Sequence, residues 1–124
     1  MPRVLVVADE PWIRNEVLAA LSAPGYELIH EDDPRLAAAR AEEEEPDAAV
    51  VDLQVGSMGG MAITRSLKAL AADNDEAVPV VLLLDRSADA FLAKRAGAGA
   101  WVRKPFTAFE LRGAIESVTS VESA

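Results

Sequence analysis

Residues 78–106 read VPVVLLLDRSADAFLAKRAGAGAWVRKPF, and the succession of patterns within them decides the fold. Val78 to Leu84 is the most continuous apolar run of the chain. A strand loses its polar alternation only when both faces are buried, as in a parallel sheet covered by helices. Ala88 to Ala96 then reads as a helix with Gly97 as its stop, since glycine takes the left-handed conformation of a helix end at little cost. Ala100 to Val102 is a short fifth strand running into Arg103, Lys104 and Pro105. Strand, helix and strand in so short a stretch make a βαβ unit.

The same alternation extends toward the N-terminus. Arg3 to Val7 is a first strand, and Pro11 opens a helix that places Ile13, Val17, Ala20 and Leu21 on one face before Ala23-Pro24-Gly25 ends it. Tyr26 to His30 is an outer, more polar strand, and Asp33 before Pro34 caps a second helix. That helix ends in Glu42 to Glu45, whose charges face the negative end of the helix dipole, so fraying is expected before Pro46. Asp47 to Val51 is the third strand. Gly56, Gly59 and Gly60 mark a loop, Ile63, Leu67 and Leu70 a third helix, and from Thr107 a last helix buries Leu111, Ile115 and Val118. The predicted fold is α/β, with five βα pairs.

Composition narrows the function. The chain has 124 residues, half of them apolar, and no cysteine; this suits one domain with its own core and excludes disulfides, thiolate metal sites and cysteine nucleophiles. No window approaches the roughly 20 apolar residues of a membrane span, and a cytoplasmic location is expected. A net charge of −9 disfavours direct nucleic-acid or anionic-membrane binding, which relies on clustered Lys and Arg. His30 is the only histidine and reads as a strand-face residue. The glycine-rich loop lacks the Lys-Ser/Thr ending of a phosphate-binding loop, and no Gly-x-Ser-x-Gly nucleophile motif occurs.

Three charged residues sit where apolar runs stop: Asp9 after the first strand, Asp52 after the third and Lys104 after the fifth. Ligands in open parallel sheets bind outside the carboxyl ends of the strands, so these three converge on one candidate phosphate-transfer site. With Lys104-Pro105-Phe106, Arg14, Pro79 and Ala96-Gly97-Ala98, the chain resembles the receiver domain of bacterial two-component response regulators (CheY-like) along nearly its whole length. The resemblance implies a doubly wound, flavodoxin-like (βα)5 fold with strand order 2-1-3-4-5. It implies a receiver over residues 1–120 and a short tail over 121–124, either standing alone or heading a longer regulator.

By the same resemblance, Asp52 is the phosphoacceptor. Asp9, Asp52 and the backbone carbonyl of Gln54 are magnesium ligands, and Lys104 pairs with a phosphate oxygen. The donor is a histidine kinase or phosphotransfer protein. A downstream protein binds the face formed by the fourth helix, fifth strand and fifth helix, and a homodimer is open. The module is no classical enzyme: at most it phosphorylates and dephosphorylates itself.

Several positions depart from the family pattern. Ala8 stands where the family carries a first acid, and the loss of such an outer charge typically weakens metal affinity about 10–100-fold. Leu84 stands at the usual Ser or Thr whose hydroxyl bonds the phosphoryl group, and leucine has no donor. Asp85 beside it would repel a phosphoaspartate if it pointed inward, with Arg86 in partial compensation. Trp101 occupies the aromatic switch position. These departures leave a second reading in place: an atypical pseudo-receiver that binds its partner without phosphorylation.

Overall fold

The computed structural model describes residues 3–8, 10–22, 26–53, 59–69 and 78–119. Five strands, β1 (Arg3–Val7), β2 (Glu27–Glu31), β3 (Ala48–Asp52), β4 (Val80–Leu84) and β5 (Ala100–Arg103), form one sheet in the order β2-β1-β3-β4-β5. Every neighbouring pair is parallel. The helices are α1 (Pro11–Leu21), α2 (Ala37–Glu44), α3 (Gly60–Ala69), α4 (Ala90–Ala96) and α5 (Ala108–Thr119).

The alternating direction of side chains along each strand divides the core into two apolar layers. Val4, Val6, Val50, Val81 and Leu83 pack with Ile13, Val17 and Leu21 of α1 and with Leu111 and Ile115 of α5. Leu5, Val7, Val51, Leu82 and Leu84 pack on the opposite side with Ala37 and Ala41 of α2, Ile63 and Leu67 of α3, and Ala93 of α4. Every residue of β3 and β4 is buried, which is why neither strand alternates with polar residues.

Several boundaries differ from the sequence expectation. Asp33 caps a 3₁₀ turn over Pro34–Leu36 rather than the α-helix: its Oδ1 accepts the Arg35 N–H at 3.0 Å, and α2 begins after Leu36 with no side-chain cap. Such an aspartate turn reaches only two residues ahead. The acidic end of α2 does not fray before Glu44. Arg3 of β1 donates to the Glu44 carbonyl and, at 2.8 Å, to its carboxylate, so a cation from the sheet meets the negative helix end. A second 3₁₀ turn, Ser87–Asp89, precedes α4, β5 continues to Arg103, and Asp52 belongs to β3 itself. At the start of α5, Thr107 Oγ1 accepts the Glu110 N–H while Glu110 Oε1 accepts the Thr107 N–H, a reciprocal capping box. The Ala23-Pro24-Gly25 stop, Leu70 and the 121–124 tail lie outside the described residues.

Candidate functional site

Asp52 is fully buried at the carboxyl end of β3. Its backbone is held by an unusually close approach of α3. Leu53 donates to Leu83 O at 3.0 Å and Gly60 donates to Leu53 O at 2.9 Å. A Cβ added to Gly60 would lie 2.6 Å from both Asp52 O and Leu53 Cα. Only glycine fits there, and Gly59 ahead of it has φ 79°, a left-handed conformation glycine adopts readily. Gly60→Ala is therefore expected to cost about 2 kcal/mol, the scale of overpacking against backbone that cannot yield. Urea denaturation checks this, and an unchanged midpoint would contradict the contact.

Lys104 arrives from the far edge of the sheet. Its N–H donates to Leu84 O at 2.7 Å, fixing its backbone to the end of β4, and the Lys104–Pro105 peptide is cis. The side chain is nearly enclosed, and Nζ donates to Asp52 Oδ1 at 2.8 Å and lies 3.0 Å from Asp85 Oδ1. Nζ also lies 5.9 Å from the centre of the Trp12 ring, within reach of a cation–π attraction. Burial, the largest single influence, pulls the Lys104 pKa down, but hydrogen bonds and charge attraction from Asp52 and Asp85 outweigh it and the net shift is upward.

The structure thus brings together Asp52 and Lys104, which lie 52 residues apart in the sequence. Asp9 and Gln54 lie outside the described residues, as do Val55 to Met58 of the glycine-rich loop. Among the described residues no group of His, Cys, Asp or Glu has the arrangement to hold a metal ion. The donor chemistry nevertheless suits a hard cation: Asp52 offers carboxylate oxygen, and the parallel register Val7↔Val51 carries the chain of β1 to Ala8 beside Asp52, one residue short of Asp9. Ala8 is buried and brings no side-chain oxygen; its carbonyl lies 3.3 Å from Nε2 of His30. That contact gives His30 a structural partner just past the end of β1.

Leu84 is 1% exposed and packed in the apolar layer that contains α3 and α4. Trp101 sits opposite Leu82 on β5, with over a third of its surface exposed. Arg86 forms no ion pair with Asp85: its guanidinium pairs with Asp89 at 2.9 Å, while Asp85 turns to Lys104. Asp89 is buried and Asp85 half exposed, and two adjacent charges of opposite sign find separate partners. Two further participants escaped the sequence reading, Trp12 over the ammonium and Gly60 under the Asp52 backbone. For Trp12 the available signal was a bulky aromatic directly after the Pro11 helix start.

The model of the response regulator receiver domain matches residues 4–116. The transcriptional regulatory protein PrrA of Mycobacterium tuberculosis is 34% identical over 119 residues, covering 94% of this chain and 49% of that protein. Protein PilH of Pseudomonas aeruginosa is 29% identical over 105 residues, covering 85% of this chain and 87% of that protein. The chain spans about half the length of PrrA and of the DNA-binding response regulator MtrA of Mycolicibacterium smegmatis. Among solved structures, the chemotaxis response regulator CheY4 of Vibrio cholerae superposes with a TM-score of 0.82 at 27% identity, covering 95% of this chain and 98% of that one. The receiver domain of the sensor histidine kinase PA1611 of Pseudomonas aeruginosa, with a magnesium ion coordinated in its active-site cleft, gives 0.83 at 25% identity, covering 96% and 98%.

Proposed function

The chain belongs to the response regulator receiver domain family, and from that premise we propose that Asp52 accepts a phosphoryl group from a histidine kinase or phosphotransfer protein in two-component signalling. The observation that carries the reading is the buried contact between Lys104 Nζ and Asp52 Oδ1 at 2.8 Å. An isolated carboxylate out of water is costly, and a fixed ammonium beside it both maintains its charge and supplies a partner for phosphate oxygens.

In the transfer, a carboxylate oxygen of Asp52 attacks phosphorus. A P–O bond forms as the P–N bond to the donor imidazole breaks, and the electron pair leaves with the imidazole nitrogen. Lys104 neutralises charge on the phosphoryl oxygens, and hydrolysis of the acyl phosphate by water returns Asp52 and inorganic phosphate. Asp52, Asp9 and the Gln54 carbonyl would hold a magnesium ion, which supplies further neutralisation of phosphoryl oxygen charge when bound. The absence of an acid at Ala8 places its affinity below that of receivers with two such acids. The reading places residues 1–120 in the cytoplasm as the receiver and 121–124 as a tail. This piece acts as a signalling module rather than a classical enzyme.

Leu84 favours a second reading, a pseudo-receiver that signals by binding alone. It fills with buried hydrocarbon the position that would otherwise carry a phosphate-binding hydroxyl. In either reading the partner surface is α4-β5-α5, where Phe91 and Trp101 are exposed. The two readings separate on incubation with phosphoramidate and magnesium followed by intact-mass analysis. Addition of one phosphoryl group, located to Asp52 by peptide mapping, is expected; an unmodified chain under conditions that label an active receiver leaves the binding module.

A further inference from the structure

We propose that Asp85 is a resident anion on Lys104 which a phosphoryl group on Asp52 must displace, so that phosphorylation here breaks a link to the start of α4. The inference rests on the reading of Asp52 as acceptor. In the unphosphorylated state Lys104 is shared, with Asp52 Oδ1 at 2.8 Å and Asp85 Oδ1 at 3.0 Å. On phosphorylation the single charge of the Asp52 carboxylate is replaced by roughly 1.5–2 negative charges on phosphoryl oxygens facing the same ammonium. The phosphoryl oxygens and Asp85 then compete for one cation.

Which group leaves follows from where each is anchored. Asp52 is the last residue of a central strand and fully buried, and the phosphoryl group is covalently attached to it. Asp85 follows β4 directly, outside regular structure, with 47% of its side chain exposed. Release to water costs such a group little, because exposed ion pairs are weak. Arg86 does not bind it, being engaged with Asp89.

The consequence falls on the connection to α4. Asp85 stands two residues before the Ser87–Asp89 turn that leads into α4. With Leu84 unable to pull this segment inward through a hydroxyl, the Asp85–Lys104 pair is a side-chain tie between the segment and the site. The Lys104 N–H bond to Leu84 O fixes the backbone of β5 to β4 on either side of the event, so the change is confined to the Asp85 side chain and the turn after it.

The test is a beryllofluoride titration at saturating magnesium, followed by tryptophan fluorescence and by amide NMR of residues 85–89, on wild type, Asp85→Asn, Asp85→Glu and Asp52→Asn. Asp85→Asn is expected to bind beryllofluoride roughly fivefold tighter, the scale of one partly exposed ion pair. Its amides at 85–89 should sit, before any ligand is added, near the positions wild type reaches on binding. Asp85→Glu, which keeps the charge, should retain the wild-type affinity, and Asp52→Asn should not respond. Equal or weaker binding by Asp85→Asn, with wild type responding normally, overturns the displacement and leaves the acceptor reading standing. Absence of a saturable response in wild type, Asp85→Asn and Asp85→Glu alike overturns the acceptor reading, and the displacement with it.

Discussion

Asp52→Asn is expected to reduce phosphoryl incorporation to background, at least about a thousandfold, while the domain stays folded. A thousandfold loss corresponds to about 4 kcal/mol in the barrier. An amide oxygen carries no full negative charge to direct at phosphorus, and no other described carboxylate is fully buried. The effect on stability is smaller because the substitution changes two quantities in opposite directions. A charge-assisted hydrogen bond worth about 1.5–3 kcal/mol is weakened, but the cost of keeping a carboxylate out of water is removed. Lys104 retains Asp85 at 3.0 Å, and the asparagine Oδ1 can still accept from it. The net change in stability is expected to lie within about 1 kcal/mol. Intact-mass analysis after phosphoramidate treatment measures the first effect and urea denaturation the second. Labelling of Asp52→Asn at the wild-type rate would remove Asp52 from the acceptor role.

The two halves of this result differ in how far they are legible in sequence. The sheet is legible almost completely, because a doubly covered parallel strand leaves a simple trace: Val80 to Leu84 and Ala48 to Val51 are apolar without interruption. The helical faces Ile13, Val17, Leu21 and Leu111, Ile115 are equally plain, since burial on one side imposes its own period. Helix starts are less so. Thr107 and Glu110 spell a capping box that the structure forms, whereas Asp33 ahead of Pro34 caps a 3₁₀ turn, and nothing local separates the two outcomes.

At the site, position is legible and partnership is not. Asp52 and Lys104 could be placed at the same carboxyl end of the sheet because each ends an apolar run. That Asp85 turns to Lys104 while Arg86 turns to Asp89 depends on which charges other elements bring within reach, and a list of neighbours along the chain does not contain that. Gly60 illustrates the same limit. Its need for a missing Cβ arises from the backbone of Asp52 and Leu53, which the sequence alone does not place against it. Positions such as Leu84 are instead informative by subtraction, since a side chain without a donor cannot bond a phosphate wherever it points.

Lys104→Met should destabilise the domain by about 3 kcal/mol at neutral pH, the scale for removing one partner from a buried ion pair. Methionine keeps most of the apolar stem and the volume, so the loss is chiefly that of the ammonium. The fully buried Asp52 carboxylate then lacks the cation that lies 2.8 Å away in wild type, whereas Asp85 can turn to solvent. The pH dependence gives the cause a signature at the alkaline end. In wild type the Lys104 pKa is raised above its ordinary 10.5, so the native state holds its proton more tightly than the unfolded chain. The stabilisation is then fully present below pH 10.5 and is lost as pH rises through the still higher native value. Lys104→Met lacks that alkaline loss. Urea denaturation of both proteins from neutral to alkaline pH tests the argument. A deficit independent of pH would mean that Lys104 contributes packing alone, and that the 2.8 Å contact with Asp52 does not carry the electrostatics of the site.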